Sequence, residues 1–175
     1  MNKKLRLIIY VVICLAFLVV VSQKVYLAQQ AKKYGQSYKF RIYGYDPRDI
    51  FRGNYLLFNF ENWWELAAAC REANYEKGET LYWIITTDEK SNISSFSRVT
   101  KELPQQGAYI KVKYNGWGID PPFDRFFINE KRAAAAEKDF QAAVRRKEAY
   151  AKISIYNGFA VLENIYCGDE PLVKN

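Results

Sequence analysis

The densest local chemistry in the 175-residue chain lies in one eight-residue stretch, where Asp46, Arg48, Asp49 and Arg52 fall together with Pro47 and Gly53. Two acids and two arginines at this spacing can form Arg–carboxylate forks that lock a corner, or can hold an anion between guanidinium groups. An Asp followed by Pro also starts a turn, since the carboxylate accepts backbone N–H groups while the ring fixes φ, so a self-paired turn that sets strand register competes with a binding site. Cys70 and Cys167 are the two cysteines outside the N-terminal apolar segment. In an oxidising compartment they could form a disulfide pinning the C-terminus to a helix, or each could be ordinary apolar core. Acid pairs such as Glu61 with Glu65 or Asp120 with Asp124 lack metal-loop spacing and read as a solvated face. The chain has no histidine, which excludes Ser-His-Asp and Cys-His catalysis and every zinc site that needs an imidazole.

These residues must be positioned by elements that the sequence pattern announces. Ser37 to Tyr45 alternates, with Phe40 and Ile42 on one face and Lys39, Arg41 and Tyr43 on the other, as a half-buried strand does. Arg52-Gly53-Asn54 marks a tight turn, and Asn54 to Phe60 a second strand, so the two predict an antiparallel ladder joined by a charged corner. From Asn62 to Asn74 the period becomes helical, with Trp63, Trp64, Leu66, Ala67, Cys70 and Ala73 as the apolar set. Strands are expected at Thr80 to Thr87, Ser94 to Lys101, Ala108 to Tyr114 and Phe123 to Ile128. Asn129 offers an N-cap for a helix to about Lys147 with Ala133, Ala136, Phe140, Ala143 and Val144 along one stripe. Ala149 to Tyr156 and Phe159 to Tyr166 flank Asn157-Gly158, a strong hairpin signal. Six to eight strands with two interposed helices make an α+β, mainly antiparallel domain over residues 35–175, expected to curl into a partly closed barrel.

The formal charge is +7, but the six cations of residues 1–33 stand without a single acid, leaving the body with 20 cations against 19 anions. The basic character therefore belongs to the N-terminal segment and gives no reason to expect a nucleic-acid partner. An unbroken apolar run from Leu7 to Val21, extended by Leu5 and by Val25 to Ala28 past a snorkelling Lys24, is long enough for one tilted membrane span. A cleavable signal peptide cut before Gln23 competes with it, yet the run carries no helix breaker and leads on as helix to Lys33. Lys3, Lys4 and Arg6 crowd one side of the span, which favours a cytoplasmic N-terminus and a body outside the inner membrane.

Gly53-Asn54-Tyr55-Leu56-Leu57-Phe58-Asn59-Phe60, preceded by Asp46-Pro47-Arg48-Asp49 and Arg52, resembles the motif Gly-Asp-Tyr-x-x-Leu-x-Tyr of the GDYXXLXY family, membrane-anchored bacterial proteins of uncharacterised function. Asp124-Arg125-Phe126-Phe127-Ile128-Asn129-Glu130 resembles a second family segment, an aromatic strand ending near a Pro-Glu pair. Asn54 stands for the motif Asp, Phe58 for its Leu and Phe60 for its final Tyr. Loss of that carboxylate removes a proton-transfer or metal role, whereas Asn still fills a left-handed turn. The resemblance implies a single-span envelope protein and no known reaction. Arg52 to Phe58 also faintly resembles a strand motif of type I signal peptidases, which use Ser and a neutral Lys. The Ser-Met pair such enzymes carry is missing, and Ser97 is followed by Arg98, which does not deprotonate.

The expectation is thus a non-catalytic, cofactor-free interaction domain for a membrane or envelope partner. Asp46, Arg48, Asp49, Arg52, Gly53, Asn54 and Tyr55, with Asp124 and Arg125, form its candidate surface or structural corner. A histidine-independent membrane hydrolase and a small-ligand sensor are the alternatives. A pocket joining a Ser or Asp to an unpaired buried Lys would favour the first and a filled barrel interior would end it, while a deep apolar cavity would favour the second.

Overall fold

The computed structural model describes residues 3–44 and 55–173. Its first element, α1 (Lys3–Tyr34), is one uninterrupted helix of 32 residues, about 48 Å long at 1.5 Å per residue. It is long and apolar enough to cross a membrane, and its large apolar side chains from Leu5 to Tyr26 are exposed. The first helix residue to be buried is Ala31, where α1 leans on the body of the protein. Only Gly35 separates α1 from the first strand. Its N–H donates to the Ala31 carbonyl at 3.0 Å. A Cβ here would collide with that carbonyl and lie 2.8 Å from the carbonyl of Ile155, so glycine is required for the helix to enter the sheet this closely.

The strands are β1 (Gln36–Gly44), β2 (Tyr55–Phe60), β3 (Thr80–Thr87), β4 (Ser94–Thr100), β5 (Ala108–Lys113), β6 (Arg125–Phe127), β7 (Ala149–Tyr156), β8 (Phe159–Cys167) and β9 (Glu170–Pro171), with helices α2 (Trp63–Glu72) and α3 (Glu130–Arg145) interposed. They form one sheet in the order β5-β3-β4-β1-β7-β8-β9, from which β2 branches off β1 and β6 off β2. Every pairing is antiparallel except that of β1 with β4, a single parallel bridge at Phe40 and Ser94. The mainly antiparallel α+β expectation therefore holds.

The barrel does not. At the open side, β5 and the β7–β8 hairpin approach through one backbone hydrogen bond, from Lys111 N–H to the Gly158 carbonyl at 2.8 Å. A cleft lined by Ile110, Val112, Phe123 and Phe159 separates them elsewhere. Closure needs a ladder with a consistent stagger between first and last strands, and here the last connection is a turn carbonyl rather than a strand. The turn itself is as expected: Asn157 and Gly158 both take positive φ, 49° and 78°, the conformation a two-residue hairpin demands.

The core follows from alternation. Phe40 and Ile42 of β1, Leu81, Trp83 and Ile85 of β3, and Ala149, Ala151 and Ile153 of β7 are buried. Rings join the strands into one cluster: Phe40 stacks on Phe96 at 4.6 Å and Phe96 on Trp83 at 4.0 Å, while Trp63 tilts against Trp83 at 5.3 Å. Such pairs contribute about 0.5–1.5 kcal/mol each beyond their area. α3 starts with Asn129 accepting the Lys131 N–H at 3.0 Å and buries Ala136, Phe140 and Ala143. α2 buries Trp63, Ala67 and Cys70 at helical spacing. Trp64, expected among the apolar set of α2, instead points outward and is exposed.

Of the two alternatives for Cys70 and Cys167, the disulfide is not formed, since both are free. α2 packs on β4, whereas Cys167 ends β8, which lies beyond β1 and β7 in the sheet. Three inter-strand steps of about 4.8 Å exceed the reach of a disulfide. Burial pushes both thiols up from their ordinary value, that of Cys167 to about 11.

Candidate functional site

Of the residues the sequence singles out, Asp46, Arg48, Asp49, Arg52, Gly53 and Asn54 lie outside the described residues. Tyr55, Asp124 and Arg125 are described, and the fold brings them together. β2 and β6 pair Tyr55 with Phe127, Leu56 with Phe126 and Leu57 with Arg125, and the Phe58 N–H continues the contact to the Asp124 carbonyl at 3.0 Å. The two motif-bearing segments thus brace one another through their backbones.

Alternation divides β2 into two faces. Leu56, Phe58 and Phe60 point into the core, so Tyr55 and Leu57 share the outward face with Arg125 and Phe127. On that face Arg125 forks onto Asp124, with Nε to Oδ1 at 3.0 Å and Nη2 to Oδ2 at 2.9 Å. Its guanidinium stands 5.6 Å from the Tyr55 ring centroid, and Tyr55 meets Phe127 edge to face at 5.9 Å. The hydrogen bonds to Asp124 raise the Arg125 pKa, which keeps the cation fixed. Phe127 is 72% exposed and Trp64 55%. Beside the β2–β6 pair a cleft of about 250 Å³ is lined by Leu57, Asn59, Trp63, Trp64, Pro121 and Asp124. An arginine and a set of aromatic side chains, Phe127 and Trp64 among them open to solvent, give this face the composition of a protein-binding surface.

A second polar cluster was not foreseen from the sequence. Ser37 of β1 faces Ser154 of β7, and Lys39 faces Lys152. The register of β7 against β8 shifts between Lys152 and Ile153, leaving Glu163 as a bulge residue between Leu162 and Asn164. Its carboxylate accepts from Ser154 and Ser37 and pairs with Lys152 at 2.8 Å, while the two serine hydroxyls share a 3.1 Å hydrogen bond. Partial burial alone would push Glu163 up, but the hydrogen bonds from Lys152, Ser154 and Ser37 together outweigh it, so the carboxyl sits below its usual range. The hydrogen bond to Glu163 raises Lys152. The cluster therefore holds its lysine protonated, the opposite of what a Ser–Lys hydrolase needs from its base. Lys152 and Ser154, two apart on a strand, announce a shared face. Nothing in the sequence announces the bulge that delivers Glu163 to them.

Next to this cluster a polar groove of about 480 Å³ opens, lined by residues that include Gln36, Lys39, Asn92, Lys152, Tyr166 and Asp169.

No curated protein and no solved structure matches the chain. The family model described as GDYXXLXY protein matches residues 14–165, a stretch that takes in most of α1, the β2–β6 pair and most of the β7–β8 hairpin. With that much of the sequence covered, the chain belongs to the GDYXXLXY family.

Proposed function

We propose that this GDYXXLXY protein is a bitopic envelope protein of the bacterial inner membrane whose extracytoplasmic domain is a non-catalytic interaction module for a membrane or envelope protein. Several features support the reading. Lys3, Lys4 and Arg6 precede the apolar run, the bias of a cytoplasmic N-terminus. α1 continues unbroken past Gln23, the site at which a signal peptide would be cut, and its Ala31 packs into the body. Together these favour an anchor that stays attached. The short link through Gly35 would hold the domain against the membrane, where its partner also lies. The paired state of Lys152 weighs against a hydrolase.

The observation that carries the interaction reading is the outward face of β2 and β6, where Tyr55, Arg125 and exposed Phe127 adjoin the cleft beneath Trp64. Aromatic side chains and arginine dominate binding energy at protein interfaces. The test is affinity capture from detergent-solubilised membranes, with proteins quantified against a chain carrying both Arg125→Ala and Phe127→Ala. Loss of a co-purifying membrane or envelope protein by about tenfold or more is expected, equivalent to about 1.4 kcal/mol or more. Equal recovery from the two chains contradicts the choice of surface. A companion chain with Arg48→Ala and Arg52→Ala asks whether the charged corner contributes.

A further inference from the structure

The groove beside the Ser37–Ser154–Glu163 cluster carries an unbalanced pair of charges. Lys39 and Lys152 are direct cross-strand neighbours on β1 and β7, so their side chains leave the sheet on the same face, and like charges so placed repel. Glu163 answers Lys152 at 2.8 Å. Lys39 has no carboxylate within ion-pair distance among the described residues and rests over the Tyr150 ring at 4.1 Å. The same groove contains one acid, Asp169, in the turn between β8 and β9, which likewise has no cationic partner among the described residues. The Tyr166 ring also lines the groove, and aromatic faces attract cations. Gln36 and Asn92 add amide groups to the lining. At about 480 Å³ the groove lies within the size range of small-ligand sites, roughly 300–1,000 Å³.

A lone cation and a lone carboxylate in one concavity, with the neighbouring charges already satisfied, are complementary to a ligand that carries both signs. We infer that the groove binds a zwitterion of the phosphoethanolamine type, its phosphate on Lys39 with help from Lys152, and its primary ammonium on Asp169 and Tyr166. Inorganic phosphate satisfies only the lysine end. A quaternary amine keeps the charge at the other end but has no N–H to donate to the carboxylate. This site is separate from the β2–β6 face and does not depend on the partner proposed for it. The ligand has two sources: free phosphoethanolamine, or the headgroup of phosphatidylethanolamine in the bilayer. Gln36, two residues after the end of α1, lines the groove, so with α1 as the anchor a headgroup is within reach. That source alone rests on the anchor reading.

The experiment uses the full chain in detergent and compares wild type with Lys39→Gln and Asp169→Asn. Both positions lie outside the core, and equal melting temperatures establish that the variants are folded. In one arm phosphoethanolamine, phosphocholine and inorganic phosphate are titrated calorimetrically. In the other, protein exchanged into mixed phosphatidylethanolamine and phosphatidylcholine micelles is examined by native mass spectrometry for retained lipid. Saturable phosphoethanolamine binding, at least tenfold weaker in each variant and for the other two ligands, supports the site with a free ligand. Selective retention of phosphatidylethanolamine, lost in both variants, supports it with a lipid. Binding in neither arm, or binding unaffected by either substitution, overturns the proposal. Binding that needs Lys39 but ignores Asp169 reduces the site to one for a simple anion and overturns the zwitterion.

Discussion

The β2–β6 pair and the β1–β7–β8 face use the same backbone device to opposite ends. On β2 the inward positions, Leu56, Phe58 and Phe60, carry the structural load, and outward Tyr55 is left to pack against Phe127 and Arg125 of β6 at the surface. Across β1, β7 and β8 the inward positions are filled by Phe40, Ala151, Ile153 and Ile165, while the outward side is a hydrogen-bonded network of Ser37, Ser154, Glu163 and Lys152 beside a groove. The difference teaches how to read the family motif. Two of its fixed positions, occupied here by Phe58 and Phe60, are core sites, and both rings pack in the central cluster. Leu and Tyr can give way to Phe there because what the position needs is bulk. The Tyr55 position faces outward and has no such packing reason.

The contrast can be broken most forcefully from within the core. Trp83→Ala removes the ring that joins Phe96 to Trp63 and should cost about 3–5 kcal/mol, read by denaturant unfolding of the protein in detergent. A cost below about 1 kcal/mol, the range of surface substitutions, would mean that the ring cluster does not organise the fold.

Next in size is Gly158→Ala. The residue sits at φ 78°, and a Cβ there would lie 2.6 Å from Tyr109 Cε2, so a loss of about 1–2 kcal/mol is expected from the backbone alone. Hydrogen exchange at Lys111 should quicken at the same time, since its N–H bonds to the Gly158 carbonyl. Unchanged exchange would show that the open side of the sheet is closed by more than this one bond.

Glu163→Gln tests the polar face. Its ion pair with Lys152 is partly solvated, with side chains 22% and 38% exposed, so a charged hydrogen-bond network should be discounted to about 1 kcal/mol. The pH dependence is more telling. A carboxyl lowered in the folded state from 4.5 contributes stability that is fully present above about pH 4.5 and is lost as pH falls through the lower folded value. Lys152, raised from 10.5, contributes below about pH 10.5 and loses that contribution as pH rises through its higher folded value. The variant should flatten the acid limb of the stability profile relative to wild type. Identical acid limbs would show that Glu163 is not held by the serines and Lys152.

The smallest effect expected on stability is that of Arg125→Ala. The pair with Asp124 is a solvent-exposed contact between sequence neighbours, and such pairs contribute little to stability, so the melting transition should stay in place while partner capture falls. A large drop in melting temperature would make Arg125 a structural brace and remove it from the candidate surface.

Much of this architecture was legible in the chain. Asn157-Gly158 names its own hairpin, Asn129 caps the helix it was expected to cap, and the alternation at Phe40 and Ile42 gives the buried face of β1. What escaped were features set by relations between distant strands. Whether the sheet closes depends on the stagger summed across the whole sheet, which no single strand encodes. Trp64 follows Trp63 on a helix that buries only one side, and composition alone cannot say which of the two faces in. The groove depends on a bulge at Glu163, on β1 lying beside β7, and on the β8–β9 turn. For the candidate surface, the pairing of Tyr55 with Phe127 brings the two motif segments together, a relation between distant strands that neither segment encodes alone, while the charged corner from Asp46 to Asn54 lies outside the described residues.

The claim that the outward face of β2 and β6 is the contact surface is tested most directly by placing a photo-crosslinking amino acid at Phe127 in cells and, as a control, at Ser97, an exposed position on β4. A discrete adduct with a membrane or envelope protein at position 127, absent at position 97, is the expected result. Adducts of equal yield at both positions, or none at position 127 while the protein is correctly inserted, would contradict it.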